Sequence, residues 1–499
     1  MTATSDPTPG GEPPVDVLDT PEAGARVIRG GALVSATYVA GMLLTAVSVP
    51  FMIRGLGVDD FGLFVTASSA VMIIAGVTEA GLSGIGTREY VVAEVSARRR
   101  MLANLLGLRF GLTLTGLVAG CGLMAALGYD ELIVAGVAIM GAGLLLTLVQ
   151  DNWTVPLAGS LQWGWFSVLG LLRSGVTALF VIGFALLGAG LVSYYWISVI
   201  AAASVFVLTG WKMRGLVSWL PAFDRAEWWR LVRDALPYAA ATTVGILYFR
   251  VALMILSLGS TEEETSYYSA AFKIVEIFGG FSGIIVVTAF PVLARAARDD
   301  LERLRYGVGK LLQTTVMVGA WFALSLFVGA PLAISVIAGE QFEPAVDVLR
   351  LQAVTLIAGF AVGALGYALL SLRQHAALLK ASLIALVVAV VLSVPLVPEY
   401  GAMGAAVATV AAEAALMLGY AVYLTKAQPE LRPSPLIWGR VLVALTPAVL
   451  VGLLLPVPTL VQLALSSAVY FGALQLVGGI PGELWTTFSA TIASRLRRS

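Results

Sequence analysis

Residues 30–60 read GGALVSATYVAGMLLTAVSVPFMIRGLGVDD. Gly30 to Pro50 pass without a single charge. A helix rises about 1.5 Å per residue, and the hydrocarbon of a bilayer is about 30 Å thick, so roughly 20 apolar residues cross it. The run therefore predicts a membrane-spanning helix, closed off by Arg54, Asp59 and Asp60. The same pattern recurs along the chain. Further spans are expected at Phe61–Leu82, Leu102–Leu127, Leu132–Val149, Phe166–Gly188, Leu191–Trp211, Ala235–Leu258 and Ser266–Phe290. The remainder are Leu311–Ala330, Leu349–Leu370, Ala376–Val397, Gly401–Thr425, Ile437–Leu455 and Thr459–Gly479, about fourteen in all. The expectation is an all-α polytopic membrane protein.

Composition agrees. Of 499 residues 59% are hydrophobic and 12% charged, with a mean hydropathy of +0.92. Soluble domains carry roughly 25% charged residues, and a soluble chain this poor in charge could not cover its surface. The net charge is zero, which argues against a nucleic-acid partner. Cys121 and His375 are the lone residues of their kinds and lack metal-ligand spacing, so no metal site or resident cofactor is expected. No G-x-x-x-x-G-K-[ST] phosphate loop is present.

Orientation follows from Lys and Arg, which favour cytoplasmic loops. With the N-terminus inside, inner loops hold Arg26, Arg98–Arg100, Arg225, Arg230, Arg295, Arg298 and Lys426, among others, while outer loops hold only Arg54 and Arg350. Outer loops carry acids instead, including Asp59, Asp60, Asp130 and Glu262–Glu264. One miscounted helix would invert every later loop, so the pattern predicts an even number of spans and both termini cytoplasmic.

A short repeat suggests how the helices group. Met52-Ile53-Arg54-Gly55-Leu56-Gly57 matches Met254-Ile255-Leu256-Ser257-Leu258-Gly259, each at the outer end of an odd-numbered helix and each followed by acids. Two six-helix lobes in the same orientation are expected, a known transporter plan with the site between them. The expected division is a disordered cytoplasmic tail (1–25), an N-lobe (26–213), an amphipathic linker (214–236), a C-lobe (237–426), two further spans (427–480) and an amphipathic tail (481–499). Linker and tail are expected to lie on the inner membrane surface. Trp153, Trp163, Trp165, Tyr194, Tyr195 and Trp196 are expected in interfacial aromatic belts. Asp151 and Asn152 are expected to end the fourth helix before Pro156, and Pro237 and Pro291 to kink or hinge theirs.

Residues Tyr38 to Tyr90 resemble the polysaccharide and O-antigen flippases of the multidrug, oligosaccharidyl-lipid and polysaccharide (MOP) exporter superfamily. The carrying residues are Pro50 to Gly57, Asp60-Phe61-Gly62, Gly81-Leu82 and Thr87-Arg88-Glu89. The second lobe is similar at Leu236-Pro237-Tyr238, Tyr248-Phe249-Arg250, Tyr268-Ser269-Ala270-Ala271 and Phe290-Pro291. The resemblance implies a V-shaped fourteen-helix fold with a cavity between lobes, and polyprenyl-pyrophosphate-linked oligosaccharide as substrate. The family often has an acid two positions beyond Arg250, where this chain has Ala252, so that acid's coupling role is not carried over.

The chemistry rests on charges inside apolar runs. Arginine at a helix centre costs about 2.5–3.5 kcal/mol or more, so it normally faces a wet cavity or a partner. Arginine grips phosphate oxygens with a planar fork and lysine offers a point charge. Arg250, Lys273 and Arg54 are thus expected to form a basic cluster in the outer half of the cavity, with Arg109 and Arg173 nearer the inner side. The alternative for each is a local partner: Glu276 for Lys273, an unidentified carboxylate for Arg250, the inner surface for Arg109 and Arg173. Glu413, Glu79 and Glu276 are candidates for coupling to a proton or sodium ion, with structural hydrogen bonding as the alternative. The expected function is flipping of the lipid-linked sugar at the cytoplasmic membrane by alternating access, in contact with membrane lipids and in concert with polysaccharide polymerase machinery. A cation-coupled multidrug or metabolite antiporter is the nearest rival. A membrane polymerase or ligase is disfavoured by short outer loops.

Overall fold

The structure, a computed structural model, describes residues 21–79, 81–159, 162–215 and 217–480. Within them fourteen α-helices and no strand are found. They are α1 (Pro21–Glu79), α2 (Leu82–Val92), α3 (Val95–Ala126), α4 (Glu131–Gly159), α5 (Trp163–Leu187), α6 (Leu191–Lys212) and α7 (Arg225–Gly259). They continue with α8 (Glu262–Asp299), α9 (Leu301–Ile337), α10 (Ala345–Ala353), α11 (Thr355–Ser371), α12 (His375–Ala427), α13 (Pro435–Leu454) and α14 (Thr459–Leu476).

Every expected span falls on helix, but spans and helices do not correspond one to one. Eleven helices are individually long and apolar enough to cross a membrane among the described residues. Two of these, α1 with 59 residues and α12 with 53, are far too long for one crossing. Each is broken at a glycine with positive φ: Gly57 (φ 72°) and Gly401 (φ 51°). Only glycine adopts such backbone cheaply, so these two residues turn one hydrophobic stretch into a pair of crossings. The chain is a multi-pass membrane protein of the expected all-helical class.

Helix starts are written locally. Asp224 accepts N–H bonds from Ala226 (3.0 Å) and Glu227 (3.3 Å) at the head of α7. Asp300 does the same for Arg303 (2.9 Å) at α9. Glu262, Glu263 and Glu264 open α8, where the helix dipole favours negative charge.

The apolar core forks. At the end of the molecule bearing Asp59, Asp60 and Glu262, one cluster joins both halves: Ile53, Phe61 and Val137 pack with Leu256, Ala271, Ile334 and Phe342. Away from it the core splits in two. One branch lies in α2–α4, α6 and the start of α7 around Leu105, Trp153 and Leu231. The other lies in α7–α9 and α11–α14 around Leu312, Ala364 and Tyr470. The halves touch again beyond the shared end: Thr243 donates to the Gly76 carbonyl (3.4 Å), and Asp224, Glu227 and Arg230 at the head of α7 pair with Arg100, Asn104 and Glu89. Residues just beyond the two repeat copies meet at the shared end. The Ser266 hydroxyl bonds the Val58 carbonyl. Gly62 lies so close to α8 that a Cβ there would sit 2.8 Å from Ser266 Oγ.

Several local expectations are corrected. The fourth helix does not end before Pro156; α4 runs through it to Gly159, and Asn152 donates across to the Leu102 carbonyl (3.2 Å). Trp153 is buried against Phe206 and Trp219 and donates to Ser218 O (3.3 Å), and Tyr194 and Tyr195 are buried too, so these three are core residues rather than belt. Trp196 is exposed, as a belt residue would be. The linker helix is not separate: it is the first part of α7, continuous with the seventh span. Helix begins at Pro21, inside the expected tail 1–25. Tail residues 1–20 and 481–499, and the side chains of Trp163, Pro237 and Pro291, lie outside the described residues.

Candidate functional site

α7 and α8 pack side by side and place a cation pair on one carboxylate. Arg250 Nη2 donates to Glu276 Oε1 at 3.1 Å, and Lys273 Nζ donates to Glu276 Oε2 at 2.7 Å. Lys273 and Glu276 are three residues apart on α8, which puts them on neighbouring faces. Arg250 is buried, its guanidinium 5.4 Å from the centres of both the Phe249 and Phe272 rings. The rings fix the guanidinium by packing as well as by cation–π attraction. Formally the triad carries one net positive charge.

Two cavities meet at this triad. A cleft of about 560 Å³ lies between the halves, lined by α1 (Thr37, Tyr38, Gly41), α5 (Phe166, Ser167, Ser174) and α8 (Lys273, Glu276, Gly280). Its walls carry hydroxyls, two aromatic rings, a cation and an anion, with apolar groups such as Met42 and Ile277 making up most of the surface. The second cavity, about 450 Å³, lies wholly within the second half and is mainly apolar. Tyr248, Phe272, Glu276, Gln352, Thr409 and Glu413 are among its lining. Glu413 faces Tyr248; its Oε2 and both amide atoms of Gln352 are buried without a hydrogen-bond partner.

The other expected site residues stand elsewhere. Arg54 does not join the basic cluster. It is exposed at the shared end and donates to the carbonyls of Ser335 (2.7 Å) and Val336 (2.6 Å), at the last turn of α9. Those carbonyls are the unpaired end of a helix, which a cation satisfies well. Arg109 is fully buried in the first half, 4.0 Å from Glu79 and close to Asp151, with Nε and Nη1 unpartnered. Arg173 donates to Gln150 (2.8 Å). Arg109 and Arg173 therefore belong to a polar network inside the first half, and Arg109, being fully buried, does not snorkel to a surface. Glu79 accepts the N–H groups of Gly81 and Ser83, each at 2.9 Å, and so caps α2. Of the five expected binding residues, the structure brings together Arg250 and Lys273 only.

Sequence reasoning missed the polar lining: Gln352, Tyr248 and Thr409 in one cavity, Ser167 and Ser174 in the other. A signal existed for Gln352, an amide inside the apolar run 349–370. Hydroxyl residues gave none, because in a helix they bond their own backbone, as Thr409 does to Ala405 O (2.9 Å).

Comparisons with known proteins agree with this architecture. The profile of a family described as polysaccharide biosynthesis protein matches residues 51–347. A Haloferax volcanii protein, named probable low-salt glycan biosynthesis flippase Agl15, is 24% identical over 301 residues. That match covers 58% of this chain and 62% of the relative, so it spans less than two thirds of the relative's length. Among solved structures, the lipid II flippase MurJ in an inward closed conformation superposes with a TM-score of 0.73 at 13% identity, covering 89% of this chain and 98% of that one. An inward-facing multidrug resistance transporter of the MATE family, from the MOP superfamily, gives 0.63 at 14% identity, covering 78% and 96%. These likenesses establish a shared fold. The matched proteins are flippases and transporters, not enzymes.

Proposed function

The chain belongs to the polysaccharide biosynthesis protein family, and from that membership we propose that it is a flippase carrying a polyprenyl-pyrophosphate-linked oligosaccharide across the cytoplasmic membrane. The names of the Haloferax relative and of MurJ support a lipid-linked glycan as cargo. The observation that carries the reading is the cleft between α1, α5 and α8, walled by hydroxyl groups and by Lys273 and Glu276 with Arg250 behind. Hydroxyls suit a sugar, and the cations suit a diphosphate.

In this reading the head enters the cleft between the halves from the arginine-rich cytoplasmic side, while the polyprenyl tail stays in lipid. The seal at the acidic end then opens as the halves rock. The barrier lowered is that of dragging a charged, hydrated head through hydrocarbon, and no bond is made or broken. Glu413 is the coupling residue, exchanging a proton or a sodium ion as the halves move. Polysaccharide polymerase machinery on the far side consumes the product.

The test is a proteoliposome assay with a pyrophosphate-linked oligosaccharide, scored by its accessibility to a glycosidase outside. Wild-type protein should expose the sugar and Arg250→Ala should not, at equal reconstitution. Equal exposure with and without the protein removes the flippase reading. One observation favours a second reading, a cation-coupled multidrug antiporter: the aromatic-lined cavity holding Glu413. Extrusion of lipophilic cations by membrane vesicles separates the two, and the flippase reading expects none.

A further inference from the structure

We infer that Glu276 is a built-in counter-anion: in the empty carrier its carboxylate occupies the places that two phosphate oxygens of the cargo take, and cargo binding displaces it. The inference rests on the flippase reading above. Both carboxylate oxygens are engaged, each by a different cation, at 3.1 Å from Arg250 and 2.7 Å from Lys273. Such charge-assisted bonds are what a diphosphate would offer, because two acceptor oxygens in one plane meet a guanidinium and an ammonium alike.

The three side chains differ in freedom. Arg250 has 7% of its side chain exposed and lies against a pair of rings packed edge to face, whereas Lys273 and Glu276 keep 31% and 27%. Arg250 is the fixed post, and Glu276 is the part that moves. Glu276 also borders both cavities, so it can leave the cleft for the cavity within the second half. There the amide of Gln352, with neither nitrogen nor oxygen partnered, supplies a donor. Glu413 shares that cavity and is the second acid the displaced carboxyl group would meet.

The arrangement answers a problem every carrier of anions has. Two bare cations inside a membrane are costly, yet the carrier must return empty. A resident carboxylate cuts the empty site from two positive charges to one, and it competes with cargo, so that release is not obstructed by overly tight binding. Glu276 therefore sets affinity against turnover.

Farnesyl diphosphate is a soluble probe for the site, with purified full-length protein in nanodiscs. Neutralising the competitor with Glu276→Gln should tighten its binding about tenfold or more. The same variant should lower kcat for flipping while also lowering KM. Glu276→Asp, with a shorter reach, should fall between, and it stands in if Glu276→Gln does not fold. Lys273→Ala should weaken binding. If wild type binds the diphosphate but Glu276→Gln, or Glu276→Asp in its place, binds no tighter, Glu276 organises the site rather than competing, and the inference falls while the flippase reading stands. If wild type binds no diphosphate at all, both fall.

Discussion

Arg250 is the residue on which the chemistry turns, and its surroundings say how a substitution should behave. Its guanidinium is buried, ring-packed and bonded to Glu276. Arg250→Ala removes the proposed phosphate ligand and the partner of a carboxylate, and flipping should fall at least about tenfold at equal abundance. Arg250→Lys keeps the charge but loses the planar fork, so it should restore activity only in part. Arg109 makes the opposite prediction. It stands in the first half beside Glu79 and Asp151, away from both cavities. Arg109→Leu should cost about 3 kcal/mol of stability or more, read as a lowered melting temperature, and leave KM unchanged. The sequence announced all of these charges, because ionisable groups in apolar runs are rare enough to notice. It could not sort them, since whether Arg54 caps a helix or binds cargo depends on α9, which lies some 280 residues away along the chain. That Arg250 and Lys273 share one carboxylate was likewise hidden until α7 was set against α8.

At the scale of elements, hydrophobic runs were legible because length against bilayer thickness is nearly a yes-or-no criterion. Helix joins were less so. Nothing local distinguishes Gly57 and Gly401, which turn the chain, from other glycines in spans; the distinction is a backbone angle. At Gly401 a side chain would also meet the Glu264 carboxylate, which accepts the Ala402 N–H at 2.7 Å. Gly401→Ala should therefore destabilise the protein by about 1–3 kcal/mol, measured by thermal unfolding in detergent. The linker was misread as a separate helix because its polar residues end an apolar pattern, whereas the Asp224 cap starts a helix that runs on for 35 residues. Asp224 carries a pH prediction. The N–H of Glu227, then the Arg100 side chain and the N–H of Ala226, hold its carboxyl below the usual carboxylate range. A depressed folded-state pKa gives stability that is present above the unfolded value of about 4 and lost as pH falls through the lower one. Protection of the first turn of α7 against hydrogen exchange should decline below about pH 4 in the wild type, and Asp224→Asn should flatten that decline.

Across the whole molecule, the forked core is what would let a bundle of helices act as the proposed carrier. Both halves are fused by packing at the acidic end, touch again where α7 meets α1–α3, and are parted by the cleft that Lys273 and Glu276 line. Besides that apolar packing, the seal is crossed by Arg54 on the end of α9, Ser266 on Val58 and Phe61 edge-on to Phe342 at 6.2 Å. Locking the seal should stop transport. Forcing the seal apart should impair transport as well: a Cβ at Gly62 would sit 2.6 Å from the Glu262 carbonyl, so Gly62→Ala should lower the melting temperature and reduce flipping in the proteoliposome assay. The short repeat at 52–57 and 254–259 pointed to two lobes, and residues just beyond the copies, Val58 and Ser266, meet at the seal. Which end of the cleft is closed was not visible, because it depends on contacts between halves. The most direct test of the whole account is to deplete the protein in its host and ask where pyrophosphate-linked oligosaccharide collects. Build-up on the cytoplasmic leaflet, relieved by wild type and not by Arg250→Ala, is the predicted result. An unchanged pool, equally divided between leaflets, would contradict it.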